Sequence, residues 1–340
     1  MGKLVCFGEI MGRFSPPGYL KTIQTNSFQL SFAGGEANVA VSVANYGGDV
    51  KFVTKLPDND LSRRCIRILR GYRVNTDDIV FGGDRMGIYF VEKGASQRPS
   101  KIIYDRKYSA ISQADPSEFD WDKIFEGAEW FHFTGITPAL SENMVCACRD
   151  AVKAAKKKGI TISCDLNYRK NLWSSKRAGE VMSELMPYVD VCIANEEDAE
   201  KVFGIKASNT DVTSGTLNEE GYREVADQLI QRFGVKKVAI TLRGSISASD
   251  NMWSGILYDG KQFYHSREYK IHLVDRVGGG DSFGGGLIYS LMRGDDDKTA
   301  IEFAVAASCL KQATEFDFSE SSVSDVELLM NGDASGRVRR

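Results

Sequence analysis

From about residue 128 onward, short apolar runs that read as strands alternate with longer stretches whose apolar residues fall on one helical face. This alternation leaves few folds open. Trp130-Phe131-His132-Phe133-Thr134 reads as a strand. A helix follows from Ser141, with Met144, Cys148, Ala151, Val152 and Ala155 at one-face spacing. Lys156-Lys157-Lys158-Gly159 close it with cations at the negative end of the dipole and a glycine cap. Ile160-Thr161-Ile162-Ser163-Cys164 and Val189 to Ala194 are further strands. Tyr222, Val225, Ala226, Leu229, Ile230 and Phe233 line another helix, Gly234 ends it, and Lys237 to Leu242 returns as a strand. Strands separated by helices of this length predict an α/β fold, a doubly wound, mostly parallel sheet sandwiched by helices.

Two segments break the alternation. Residues 12–33 and 84–112 are strand-like and rich in Phe, Tyr and Ile, with no helix between their members. Both sit among glycines and prolines, and they are expected to pair as a small β-sheet lid projecting from the main domain. Residues 1–331 then form one domain with the lid inserted as two early segments, and 332–340 form a frayed tail.

Composition narrows the partners. The 43 Lys+Arg face 46 Asp+Glu, and a net charge of −3 gives no footprint for a nucleic-acid backbone. No uncharged stretch reaches the roughly 18 residues of a membrane-spanning helix. Met1 to Gly8 read as a strand without a long apolar signal core, and Cys6 stands where a myristoylation site needs Ser or Thr. The seven cysteines form no Cys-x-x-Cys pair, so reduced buried thiols and a cytoplasmic setting are expected. His132, His265 and His272 lie at no metal-ligand spacing, which argues against a structural zinc.

The densest chemical signal is Asp275-Arg276-Val277-Gly278-Gly279-Gly280-Asp281-Ser282-Phe283, three glycines running into a stretch with Phe283, Leu287, Ile288 and Leu291 on one helical face. Glycines let backbone N–H groups converge, and a helix N-terminus adds partial positive charge. Together they cradle an anion such as a transferring phosphoryl group. Asp281, in the first turn, suits anion binding poorly but is well placed to take a proton from an attacking hydroxyl. On these residues alone the other reading stands beside it, glycines that only turn the chain and an Asp that only caps the helix. The run is not a Walker A loop, which needs Gly-Lys-Ser/Thr. Nor is it a dinucleotide fingerprint, and Gly8-Glu9-Ile10-Met11-Gly12 supplies none after the first strand, which argues against a nicotinamide oxidoreductase.

Three motifs, in order along the chain, resemble those of the ribokinase-like (PfkB-type) carbohydrate kinases. Ala33-Gly34-Gly35-Glu36-Ala37-Asn38-Val39-Ala40 is similar to their N-terminal glycine signature, Asn195-Glu196-Glu197-Asp198 to their Asn-x-x-Glu motif, and Asp275 to Phe283 to their C-terminal signature. The resemblance spans residues 3–331 and implies an ATP- and Mg2+-dependent sugar kinase. It implies Asp281 as the base, Gly278, Gly279 and Gly280 as the anion hole, and Gly34, Gly35 and Asn38 on the sugar. It places Asn195, Thr241, Arg243, Gly244, Gly278 and Gly280 on ATP. It also implies Asp198 acting indirectly on the metal and Asp275 holding a monovalent cation such as K+. Ala33 stands where a glycine usually opens the first signature, Asp198 replaces a Glu, and Thr241-Leu242-Arg243-Gly244 replaces Thr-Leu-Gly. Glu36 is expected to cap a helix beginning at Ala37.

Within that family the chain most resembles the kinases of 2-keto-3-deoxygluconate. The residues that carry this are Gly8-Glu9-Ile10-Met11 with Ser15-Pro16-Pro17-Gly18, Asp165-Leu166-Asn167-Tyr168-Arg169 with Leu172-Trp173, and Ser247-Ala248-Ser249-Asp250-Asn251. A sugar acid needs fixed cationic donors, and arginine offers a planar fork for its carboxylate. The resemblance puts Arg106 of the second lid segment and Arg169 on the substrate, with Tyr89 and Tyr104 lining the pocket, although either arginine alone reads more readily as a surface charge. The implied product is 2-keto-3-deoxy-6-phosphogluconate. A kinase of neutral ketoses such as fructose and a non-catalytic sugar-acid sensor are the alternatives, and a sensor has no use for Asp281. The exposed edges of the lid point to homo-oligomers formed lid to lid.

Overall fold

A strand that is apolar on both faces has to be covered on both, and the central strands of this chain are of that kind. The computed structural model describes residues 2–195, 197–206 and 219–332, so Glu196 and the tail from 333 onward lie outside the described residues. It opens with β1 (Lys3–Phe7), β2 (Met11–Ser15), β3 (Gln29–Ala33), α1 (Gly35–Asn45), β4 (Asp49–Val53), β5 (Lys55–Leu56), α2 (Asp60–Gly71), β6 (Val80–Phe81), β7 (Ile88–Glu92) and β8 (Lys101–Asp105). It continues through α3 (Trp121–Ile124), β9 (Ala128–Thr134), α4 (Glu142–Lys157), β10 (Thr161–Asp165), α5 (Ser175–Leu185), β11 (Val191–Asn195), α6 (Asp198–Phe203) and α7 (Glu219–Phe233). The last part holds β12 (Lys237–Ser245), β13 (Asp250–Tyr258), β14 (Phe263–His265), β15 (Tyr269–His272), α8 (Gly279–Arg293), α9 (Asp297–Gln312) and α10 (Val323–Met330).

Among the described residues nine strands form the main sheet, in the order β14-β13-β12-β11-β10-β9-β1-β4 with β15 beside β13. From β4 to β12 every neighbouring pair is parallel, and β13 to β15 return antiparallel. In β1, Leu4 and Cys6 enter the core shared with Val41 of α1, Phe283 of α8 and Phe303 of α9. Val5 and Phe7 enter the opposite core, with Cys148 of α4, Met182 of α5 and Leu229 of α7. Burying each leucine- or phenylalanine-sized side chain contributes about 1.5–3 kcal/mol, so a slip of one residue would exchange two well-filled faces. α4 has the limits the sequence marks: the Ser141 hydroxyl accepts the Met144 amide at 3.3 Å, and Gly159 follows its end at φ 72°. All seven cysteines are free thiols, six buried and Cys146 exposed. No helix among the described residues is long and apolar enough to cross a membrane.

The two segments outside the alternation pair into a second sheet of four strands, β3-β2-β7-β8, with β2 and β7 parallel at its centre. Met11, Ala33, Tyr89 and Val91 make its small core. The outer strand β8 is exposed along its whole length. The chain leaves β1 for this sheet and returns from β3 straight into α1, so the lid is rooted at the carboxyl end of the parallel strands. Ligands of open α/β sheets bind at that end.

Candidate active site

α8 begins where Gly278 adopts φ 84°, a left-handed conformation that suits glycine, with so little room that a Cβ would overlap the carbonyl oxygen of Asp317. The Ser282 amide closes the first helical hydrogen bond on the Gly278 carbonyl at 2.9 Å. The amides of Gly280 and Asp281 are first-turn donors with no carbonyl partner among the described residues, and no atom lies within 4 Å of where a Gly280 Cβ would stand. Open space in front of unpaired donors at a helix N-terminus is a seat for a phosphoryl group. α9 braces the loop: Ser308 Oγ donates to the Gly279 carbonyl at 2.7 Å, and the Gln312 carbonyl accepts the amides of Val274 and Asp275 at 2.9 and 3.3 Å.

Asp281 is half-buried in that first turn. Its Oδ2 accepts Asn38 Nδ2 of α1 at 2.6 Å, and the Gly34 amide donates to Asn38 Oδ1 at 3.3 Å, which fixes the amide so that its donors face the base. Oδ1 faces Gly35: a Cβ there would lie 3.6 Å from Oδ1, 3.5 Å from Thr134 Cγ2 and 3.9 Å from Asn167 Nδ2. Gly35, Thr134, Asn167 and Asp281 thus share one floor. At Gly34 a Cβ would overlap the Glu9 carbonyl oxygen, so only glycine lets the lid root pass. Burial pushes the Asp281 carboxyl up to about 6, Asp317 adds to this, and the Asn38 hydrogen bond and the Arg169 charge oppose it. Such a group is ionised near neutrality yet more basic than an ordinary carboxylate, as a general base requires.

Two more carboxylates stand beside it. Burial, then repulsion from Asp198 and Asp281, holds Asp165 well above the usual carboxylate range, and burial also raises Asp198. The exposed Arg169 opposes the rise in all three. Asn167 holds φ 39°, a region that non-glycine residues occupy rarely and that concentrates at functional sites. Asp165 supports that turn by accepting the Asn167 amide at 3.1 Å. Asp198 accepts the backbone amides of Tyr168 at 3.1 Å and Asn195 at 3.3 Å through its two oxygens, so it braces two loops where the sequence predicts an indirect metal role. Among the described residues no three acidic, His or Cys side chains are grouped to hold a metal ion.

At the ends of β11 and β12, Asn195 and Thr241 are register partners. Asn195 Oδ1 accepts the amides of Glu197 and Asp198 at 2.9 and 3.0 Å, a turn that opens α6. Arg243 and Gly244 continue β12, opposite Trp253 and Met252. Burial, and after it the charge of exposed Arg243, lowers the pKa of Arg276 at the head of the glycine loop. Two guanidiniums near one another at a phosphate seat favour an anion between them. Arg276 enters the sequence reading only as part of a motif, and its neighbour lies on another strand.

On the lid side, Tyr89 and Tyr104 are register partners whose rings stack at 5.8 Å and 24°, and the Arg106 guanidinium lies 5.5 Å from the Tyr104 ring centre. Arg106 is turned onto the buried Glu9, donating through Nε at 2.7 Å and through Nη2, while its Nη1 makes no hydrogen bond among the described residues. The Tyr89 hydroxyl donates to Asp317 Oδ2 at 2.9 Å, and its ring is buried in the small core of the lid.

One expectation is corrected. Glu36 does not cap a helix: α1 begins at Gly35, and Glu36 Oε1 accepts the Thr134 amide at 3.0 Å, Thr134 Oγ1 at 2.8 Å and Thr137 Oγ1 at 2.6 Å. Fully buried, its carboxylate needs several donors, and the end of β9 supplies them. Asp275, which the resemblance gives a monovalent cation, meets a cation of the protein's own. Its Oδ2 is paired with Arg13 of β2 and its Oδ1 accepts the Val277 amide at 3.1 Å, so a buried guanidinium already meets its charge.

A model of the pfkB family of carbohydrate kinases matches residues 1–315. The chain is 33% identical over 334 residues to 2-dehydro-3-deoxygalactonokinase of Haloferax volcanii, covering 98% of each protein. It is 28% identical over 316 residues to 2-dehydro-3-deoxygluconokinase of Thermoproteus tenax, covering 91% of this chain and 88% of that protein. The crystal structure of 2-dehydro-3-deoxygluconokinase from Thermotoga maritima matches at a TM-score of 0.94 and 50% identity, over 98% of this chain and all of that one.

Proposed function

The chain belongs to the pfkB family of carbohydrate kinases, and we propose that its substrate is 2-keto-3-deoxygluconate (2-dehydro-3-deoxygluconate), phosphorylated by ATP to 2-keto-3-deoxy-6-phosphogluconate. The observation that carries the substrate is the pair of arginines about the sugar floor. Arg169 is exposed, and among the described residues its guanidinium makes one hydrogen bond, to the Tyr168 carbonyl at 3.1 Å, while Arg106 is held by Glu9 with Nη1 to spare. A neutral ketose needs neither cation, whereas the carboxylate at the far end of a six-carbon acid needs a fork of donors. The relatives named for these acids, at 50% and 33% identity, support the same class.

The sugar lies between the lid and the floor of Gly34, Gly35 and Asn38, under Tyr89 and Tyr104. ATP runs along the strand ends past Asn195 and Thr241, with its phosphates between the Arg243–Arg276 side and the free amides of Gly280 and Asp281 at the end of the glycine loop. Asp281 Oδ1 takes the proton of the terminal hydroxyl as its oxygen bonds to the γ-phosphorus and the bond to ADP breaks. The glycine-loop amides hold the charge of the transferring group, and nearby positioning lowers the entropic barrier. Mg2+ bound to ATP adds charge neutralisation on the phosphates. Two copies associate through the outer edge of the lid, and the free thiols suit a cytoplasmic setting.

ADP release tests this with 2-keto-3-deoxygluconate, its C4 epimer, fructose and ribose. The keto acids should give the highest kcat/KM. Arg169→Ala should lower kcat/KM for the keto acid at least about tenfold more than for fructose, the size of one lost charge-assisted contact. Equal losses on both sugars would remove the carboxylate role, and no ADP with any sugar would remove catalysis.

A further inference from the structure

At the base of the glycine loop lies a group of charges that the transfer reaction does not use. Arg13 of β2, Asp275 at the head of the loop, Asp317 beyond α9 and Lys311 in the last turn of α9 are exposed by 1%, 4%, 3% and 0%. Arg13 is paired with both acids. Lys311 Nζ donates to the backbone oxygen of Asp275 at 3.1 Å. Asp317 reaches the lid through the Tyr89 hydroxyl, and its own carbonyl abuts Gly278.

A lysine wholly out of water with one hydrogen bond for three donors is costly, and an apolar side chain of similar length would fill the same space. What an apolar side chain could not supply is charge. Asp275 and Asp317 stand behind an anion hole, where two uncompensated negative charges at low dielectric would repel the phosphates it has to receive. Arg13 and Lys311 match them one for one. Burial, with the Arg13 charge beside it, holds the Lys311 pKa below the ordinary lysine value, and Asp275, Asp317 and Asp281 favour the ammonium against that pull.

From this geometry we infer that Lys311, with Arg13, is the resident cation of the anion hole. It is a positioning residue that holds the Asp275–Gly278 backbone and offsets the acids behind it, so that phosphoryl transfer proceeds without a dissociable monovalent cation. The inference rests on the kinase reading above.

ADP release is measured with 2-keto-3-deoxygluconate and Mg-ATP at constant ionic strength in the chlorides of potassium, sodium, caesium and tetramethylammonium. The wild-type protein gives kcat within about twofold in all four, and a rate several-fold higher in potassium overturns the inference. Lys311→Met keeps the length and loses the charge. Its kcat falls about 10–100-fold with KM for the keto acid little changed, ammonium or potassium chloride recovers part of the loss, and Lys311→Arg retains most of the activity. A Lys311→Met protein with wild-type kcat, or one whose loss follows its melting temperature and ignores every cation, overturns it too. Should that variant fail to fold, the wild-type salt series alone is decisive. No ADP in any salt is a different result, the failure of the kinase reading itself.

Discussion

Asp281 has to be ionised near neutrality and still attract a proton, and its surroundings push it in both directions. Burial raises the carboxyl to about 6 while the Asn38 amide pulls it down. As pH falls through that value the base is protonated and the rate drops, so kcat should show an acid limb near pH 6 and a plateau above it. Asn38→Ala removes the downward pull and should move the limb to higher pH, read from kcat–pH profiles of the two proteins. Asp281→Asn should cost about 10²–10⁴-fold in kcat. The sign for stability is opposite. A carboxyl raised on folding gives stability below its unfolded pKa and loses it as pH rises through about 6. Asp281→Asn should therefore melt no lower than wild type at pH 8. Asp281, Asn38 and the glycines are legible in the sequence because they lie in contiguous motifs. Arg13 is not, because its acids lie 262 and 304 residues away and a lone arginine in a strand reads as a surface charge.

Helix ends are where the elements meet the chemistry, and Glu36 is the clearest case. It sits in the first turn of α1, where a carboxylate reads as a cap or dipole partner. In the fold it ties α1 to the end of β9, through donors 98 and 101 residues away that no local pattern announces. Oε1 accepts all three hydrogen bonds, and burial raises the pKa of the group, so the charge itself is disfavoured and the acceptor is what the fold needs. Glu36→Gln should therefore stay near wild-type stability, whereas Glu36→Ala should lose about 2–4 kcal/mol in urea unfolding by stranding buried donors and opening a void. Equal losses in both variants would put the stability in the charge. The starts of α4 after Ser141 and of β12 at Lys237, by contrast, are legible to the residue, because caps and buried runs are local signals. Arg243 marks the limit: a departure from a loop motif proves to open three more residues of β12, Arg243 to Ser245.

Across the whole molecule the lid is not a loose flap. Arg106 ties β8 to Glu9 at the root of the lid, while Arg13 and Tyr89 tie β2 and β7 to Asp275 and Asp317 beside the glycine loop. The root of the lid and the glycine loop are therefore linked through the lid sheet, and anything that shifts the sheet reaches both. Its outer strand β8 carries Ile102 and Ile103 at 37% and 43% exposure, on an edge with unpaired backbone groups. An apolar, unprotected edge favours pairing with another chain, and a second copy meeting it edge to edge would also hold Tyr104 and the approach to Arg106 in place. Ile103→Glu puts a charge on that edge, outside the substrate floor. It should convert a dimer to a monomer in sedimentation equilibrium and raise KM for the keto acid, with kcat at saturating sugar within about threefold of wild type, because the base and the anion hole stay intact. A wild-type chain that sediments as a monomer at assay concentrations, or a monomeric variant with unchanged KM, would mean that the lid closes over the sugar without help from a neighbour.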